Sequence, residues 1–158
     1  MNTTTKNVFV SHVHEDDASL KEFAKLLASK GYQIKDSSIT SEKPNEASNE
    51  NYIKTDILAP RINWASTLIV LISPQTHTSK WVNWEIEYAE KQGKRIIGVW
   101  LQGAKDSDLP AALDLYGNAV VGWQADPIID AIDGSNNIWS TAEGKERPAR
   151  PIVHYSCA

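Results

Sequence analysis

The stretch Thr67-Leu68-Ile69-Val70-Leu71-Ile72 is an unbroken run of β-branched and aliphatic residues. Six residues is strand length and too short for a buried helix. With no polar alternation, the run predicts a central strand covered on both faces. Ser73-Pro74 stops it, because proline has no amide to give to a sheet ladder. A strand hidden on both sides needs helices above and below, and the flanking chain supplies them. Upstream, Asn7 to Ser11 (N-V-F-V-S) reads as a strand, and Asp16 or Asp17 caps a helix. That helix carries Leu20, Phe23, Ala24, Leu27 and Ala28 at i, i+3, i+4, i+7 and i+8. Gly31 ends it, Tyr32 to Lys35 is a second strand, and Ser37 to Asn51 is a long polar loop. Tyr52 to Ala59 suits a second helix, disturbed at Pro60.

Downstream, Thr76 to Lys80 forms a loop and a third helix runs from about Trp81 to Gln92, stopping near Gly93. Arg95 to Leu101 and Ala119 to Trp123 are the fourth and fifth strands, with short helices at Leu109 to Leu115 and Pro127 to Ile132. Strand and helix alternating in this way predict an α/β, flavodoxin-like three-layer fold. Its centre is a five-stranded parallel sheet joined by right-handed crossovers. The expected division is a domain over residues 1–133 and a polar tail over 134–158, with one edge strand at Pro151 to Tyr155. Ligands of such folds sit outside the carboxyl ends of the strands. Here that edge carries His12 to Asp17, the loop from Ser37, Ser73 to Lys80, and Gln102 to Asp108.

Composition narrows the function. The chain has 158 residues, 20 acidic against 16 basic, and a net charge of -4, which argues against a general nucleic-acid binder. A single cysteine, Cys157, excludes an intramolecular disulfide framework and a cysteine-based zinc site. No apolar run is long enough to cross a bilayer and Met1 to Lys6 is polar, so a reduced, cytoplasmic setting is expected. Six tryptophans stand against two phenylalanines, and indoles serve in stacking and contacts. Trp64 and Trp100 read as core, Trp123 as core or site, and Trp139 as a cover for the domain or a partner.

On the third helix Val82, Ile86 and Ala89 form the sheet-facing stripe. Trp81, Glu85, Tyr88 and Gln92 line the neighbouring one, so a carboxylate stands between two aromatic side chains. Glu87 points roughly 200° away from Glu85, alongside Asn83 and Glu90, toward solvent. Glu85 has two readings: a surface residue favoured near the positive helix end, or an acid aimed at a ligand on the sheet edge.

The stretch Ile57 to Ala89, with L-I-V-L-I-S-P followed by S-K-W-V-N-W-E-I-E-Y-A, resembles the TIR domains. In that family the third strand ends in a Ser-Pro-like turn and leads through Ser-x-Trp to a helix bearing a Glu. V-F-V-S-H matches the family's first strand, and the resemblance covers roughly residues 6 to 133. More narrowly, S-H-V-H-E-D-D is similar to the bacterial TIR-like branch of Thoeris antiphage defence. There are departures. Trp84 precedes the Glu where a small, polar or basic residue is usual, and His12 takes the first-strand aromatic position. No glycine-rich or strongly basic loop marks a diphosphate site, leaving Lys43, Lys80 and backbone amides as candidates.

The resemblance implies an enzyme. Bacterial TIR domains cleave the nicotinamide–ribose bond of NAD+, and many release a cyclised or transferred ADP-ribose as a signal. The family's catalytic Glu falls on Glu85, and Trp81, Ser73, His12, His14, Ser37, Lys43 and Tyr88 are the expected substrate-binding residues. NAD+ is then the substrate and no separate cofactor is expected. The implied partners are an effector that responds to the nucleotide signal, a phage trigger, and further copies of the chain. The alternative from another class is a non-catalytic TIR module that assembles through the same loops.

Other readings fit less well. His12-Val13-His14-Glu15-Asp16 is an H-x-H-x-D arrangement of the kind that opens metal-dependent hydrolases. The further histidine such a site needs is Asp17 here, and no metal is expected. A receiver domain needs a phosphoacceptor Asp where Ser73 stands, and a flavodoxin would have a phosphate loop in place of H-V-H-E-D-D. A nucleoside deoxyribosyltransferase shares the fold class and a catalytic Glu, but the tryptophan-rich helix fits TIR better.

Overall fold

The computed structural model describes residues 4–13, 16–36 and 58–147. Strand β1 (Thr4–Ser11) is followed by α1 (Asp17–Ala28) and β2 (Tyr32–Asp36). Then come α2 (Ala59–Trp64), β3 (Thr67–Ile72), α3 (Lys80–Lys91) and β4 (Arg95–Trp100). The chain continues through α4 (Ala111–Tyr116), β5 (Ala119–Val121) and α5 (Ala125–Asp133) to the short strands β6 (Trp139–Ser140) and β7 (Glu146–Arg147). All six residues of β3 are buried. Their side chains alternate between two cores. Leu68, Val70 and Ile72 join Ile62 of α2, Val82 and Ile86 of α3 and Leu113 of α4. Ile69 and Leu71 join Phe23 and Leu27 of α1 and Ile128 and Ile132 of α5. A central strand with a helical layer on either face is the three-layer arrangement expected.

The sheet is larger than the five strands expected. Among the described residues it has seven, in the order β2-β1-β3-β4-β5-β6-β7. Neighbours from β2 to β6 pair in parallel, and β7 closes the edge antiparallel. The two extra strands are two residues long each, too short to show a period. They exist because Trp139 is buried in the core and the Trp100 Nε1 donates to the Ser140 carbonyl at 2.8 Å. Trp139 thus covers the domain itself. The edge strand expected at Pro151 to Tyr155 lies outside the described residues, as does most of the expected helix Tyr52 to Ala59.

Other boundaries moved for local reasons. β1 starts at Thr4, before the expected Asn7, because its polar half pairs with β2 alone and meets β3 only from Val8 onward. Pro60 does not break its helix but lies in the first turn of α2, where the missing amide has no intrahelical partner to lose. Asp16 takes the N-cap position of α1, yet its side chain makes no cap hydrogen bond. Trp64, expected in the core, is 46% exposed at the end of α2.

The chain passes from β1 outward to β2 and then returns to the other side of β1 with β3. The carboxyl ends of β1 and β3 therefore flank the switch point where open α/β sheets hold ligands.

Candidate functional site

Ser11 is the last residue of β1 and lies on the Phe9 side of the sheet, the side that α3 covers. Ser79 starts α3 by accepting a hydrogen bond from the Val82 amide at 3.2 Å, a serine N-cap. Its carbonyl accepts from the Asn83 Nδ2 at 3.0 Å. Asn83, expected on the solvent side, turns its Oδ1 to the Ala112 amide at 3.1 Å and so ties α3 to α4. These contacts set the rotation of α3 about its axis. That rotation brings Glu85 inward.

Glu85 is only 5% exposed, while Glu87, two residues on, is exposed. The Ser11 hydroxyl donates to Glu85 Oε1 at 2.6 Å across a buried contact. A charge withdrawn from water is costly unless it is hydrogen-bonded, and a helix-surface carboxylate incurs no such cost. The surface reading of Glu85 is therefore replaced by a buried acid at the switch point, oriented by a serine from the adjoining strand. Ser11 was not among the candidate residues. Its signal was available, because alternation from Val8, Phe9 and Val10 puts it on the face that receives the third helix.

The other candidates fall at different distances from this pair. Trp81, in the first turn of α3, is half-buried against the core, with the Lys80 Nζ 5.6 Å from its ring centroid. Tyr88 stacks on Trp84 with centroids 5.2 Å apart, and its hydroxyl accepts from the Asn63 Nδ2 at 2.8 Å. These contacts bind α2 to α3. Ser73 is buried at the end of β3, where its amide donates to Thr76 Oγ1 at 2.8 Å and its hydroxyl to Gln75 Oε1 at 3.1 Å. It builds the turn after β3. His12 follows β1 and its Nδ1 donates to the Val10 carbonyl at 2.9 Å, which in the neutral ring leaves Nε2 as the acceptor. His14, Ser37 and Lys43 lie outside the described residues. Among the described residues no three His, Cys, Asp or Glu side chains converge as a metal site would require.

A cleft of about 720 Å³ opens along the same sheet edge. Its lining includes Ser73 and Pro74 after β3, Gln102 and Gly103 after β4, and Trp123 after β5. Glu85 and Trp81 are not part of its wall. The cleft and the acid therefore sit at successive places along one edge, with the Ser73 turn between them. Among the described residues no helix is long and apolar enough to cross a membrane.

Residues 9–106 match the family model described as Thoeris protein ThsB, TIR-like domain. No curated protein matches the chain. Among solved structures the chain is similar to the Clostridium botulinum CMP N-glycosidase BcmB, at 16% identity and a TM-score of 0.45, covering 82% of this chain and 97% of that one. It is also similar to the TIR domains of the activated Roq1 resistosome that recognises the pathogen effector XopQ, at 20% identity and a TM-score of 0.42. That likeness covers 60% of this chain and 57% of the other.

Proposed function

The chain belongs to the Thoeris ThsB TIR-like family, and on that premise we propose that it is an enzyme that breaks the nicotinamide–ribose bond of NAD+. The observation that carries this reading is the buried carboxylate of Glu85 held by Ser11 at the switch point. The nicotinamide of NAD+ is cationic and departs neutral, so the leaving group needs no strong acid. Positive charge instead builds on the ribose as an oxocarbenium-like centre, as in other glycosyl transfers. A fixed carboxylate beside the sugar hydroxyls stabilises that charge as it develops, with no reorganisation needed at the moment of reaction.

The bond to C1′ breaks with its electron pair going to the nicotinamide nitrogen. Attack by water then gives ADP-ribose and a proton, and attack by a nucleophile within the same molecule gives a cyclised product. Trp81, Ser73 and His12 are the groups proposed to bind the substrate. Tyr88 contributes by fixing α3 against α2. His14, Ser37 and Lys43 complete the proposed binding set. The product in this reading is an ADP-ribose-derived messenger that an effector protein detects during antiphage defence.

The test is nicotinamide release from NAD+ by purified protein, alone and in extract from phage-infected cells, for wild type and Glu85→Gln. Loss of one preorganised group of this kind costs about 10²–10³ in turnover, so the variant should fall by that factor while remaining folded. Equal turnover in both proteins removes Glu85 from the chemistry. No release by wild type in the infected-cell extract would favour the assembly module instead.

A further inference from the structure

The cleft beyond Ser73 is walled by side chains that the fold itself holds in place. Trp100 is buried and its indole nitrogen is tied to the Ser140 carbonyl, and half-buried Trp123 rests on Phe23 with centroids 5.8 Å apart. The hairpin between β6 and β7 adds a wall through Ala142, whose amide donates to Asp106 Oδ1 at 2.7 Å. Trp123 and the hairpin both lie beyond the residues matched by the family model. Glu85 and Trp81 take no part in the lining, so the space is separate from the buried acid.

The charge of the lining is one-sided. Asp16 and Glu22 reach it, and among the described lining residues there is no lysine or arginine. Asp16 takes the N-cap position of α1, and one of its carboxylate oxygens is shielded from water. A carboxylate drawn away from water favours a cation beside it. Glu22 is exposed and lies farther along α1, about 9 Å on along the helix axis. Lys25 comes only within 3.9 Å of it and is not part of the wall.

The remainder of the lining includes apolar Leu101 and Ala142, which suit methylene groups, and an indole attracts an ammonium placed over its face. A phosphate would be repelled here, and a lone metal ion would leave the aromatic and aliphatic walls unused. A volume of about 720 Å³ lies within the range of small-molecule sites. We infer that this cleft binds a linear aliphatic diamine, with one ammonium at Asp16, the other at Glu22 and the carbon chain along the apolar wall. The site stands whether or not NAD+ is cleaved at Glu85.

The experiment is calorimetric titration of the whole protein with putrescine at about 0.15 M ionic strength, where exposed charges more than about 8 Å apart are largely screened. Butanediol, the same carbon chain without the charges, and magnesium chloride should both bind at least tenfold more weakly than putrescine. Asp16→Asn keeps a good helix N-cap and should weaken putrescine binding at least tenfold, and Glu22→Gln should weaken it at least threefold. Gln102→Trp fills the cleft from an exposed position and should also weaken binding at least tenfold. Glu87→Gln removes an exposed charge outside the lining and should leave putrescine affinity unchanged. Absence of putrescine binding, magnesium binding as tight as putrescine, or wild-type affinity in folded Asp16→Asn or Gln102→Trp would overturn the assignment. An equal loss in Glu87→Gln would overturn it too, by reducing the effect to the overall negative charge of the chain. Should Asp16→Asn fail to fold, Gln102→Trp and Glu22→Gln decide the question.

Discussion

Removing the Ser11 hydroxyl tests whether the buried acid is held by the strand beneath it. Ser11→Ala deletes the 2.6 Å hydrogen bond to Glu85 Oε1 and leaves that oxygen in a site closed to water. Hydrogen bonds to charged groups contribute about 1.5–3 kcal/mol. For a chain of this length each kcal/mol moves Tm by about 2–4 °C, so a fall of about 3–12 °C is expected. In a Glu85→Leu background the hydroxyl has no carboxylate to serve, and the same substitution should cost less than about 1 kcal/mol. The cycle of wild type, two single variants and the double variant, followed by urea unfolding, should yield a coupling of about 1–2 kcal/mol. Glu85→Leu should itself be destabilising by up to about 1–3 kcal/mol, because it leaves the buried Ser11 hydroxyl without its acceptor. Additive single effects, with a coupling below about 0.5 kcal/mol, would refute the claim that Ser11 positions Glu85.

Gly117, after α4, leaves room for the β6 tryptophan. An added Cβ would come within 2.8 Å of the Leu113 carbonyl oxygen and 3.2 Å of the Trp139 ring. Gly117→Ala should therefore cost about 1–3 kcal/mol and speed hydrogen exchange in residues 139–147; an unchanged urea midpoint would count against this packing. Burial, then the hydrogen bond and charge of Asp133, raise the Tyr32 phenol above its ordinary value near 10. The fold thus favours the neutral phenol, and this contribution is full below about pH 10 and is lost as pH rises further. Wild type should lose stability faster than Tyr32→Phe above that pH, so that their urea midpoints converge; parallel curves would contradict it.

The parts of the fold that were legible are those whose period is local. β3 has the same bounds in sequence and structure, and α3 differs by one residue at each end, because continuous burial and a 3.6-residue stripe are written in consecutive residues. Trp64 was misjudged for the opposite reason: a lone indole at a helix end has no periodic neighbours to say which way it faces. The hairpin of β6 and β7 was invisible since strands of two residues have no period, and its anchor on Trp100 bridges 40 positions. For Glu85, a helical wheel gives an angle and not the surface opposite, so its burial was not legible. Its burial follows from Asn83 holding α4 and from Ser11 waiting across the gap.

Taken by itself, the chain's order of residues determined the layered α/β architecture, the central strand and which residues of the third helix share a face. Those follow from propensity and spacing, which act between near neighbours. Only the tertiary structure decided that Ser11 meets Glu85 across 74 positions, that the tail hairpin walls a cleft, and that acid and cleft adjoin along one edge. Contacts between distant segments depend on which strands end up side by side, and that is settled when both cores close around β3 together.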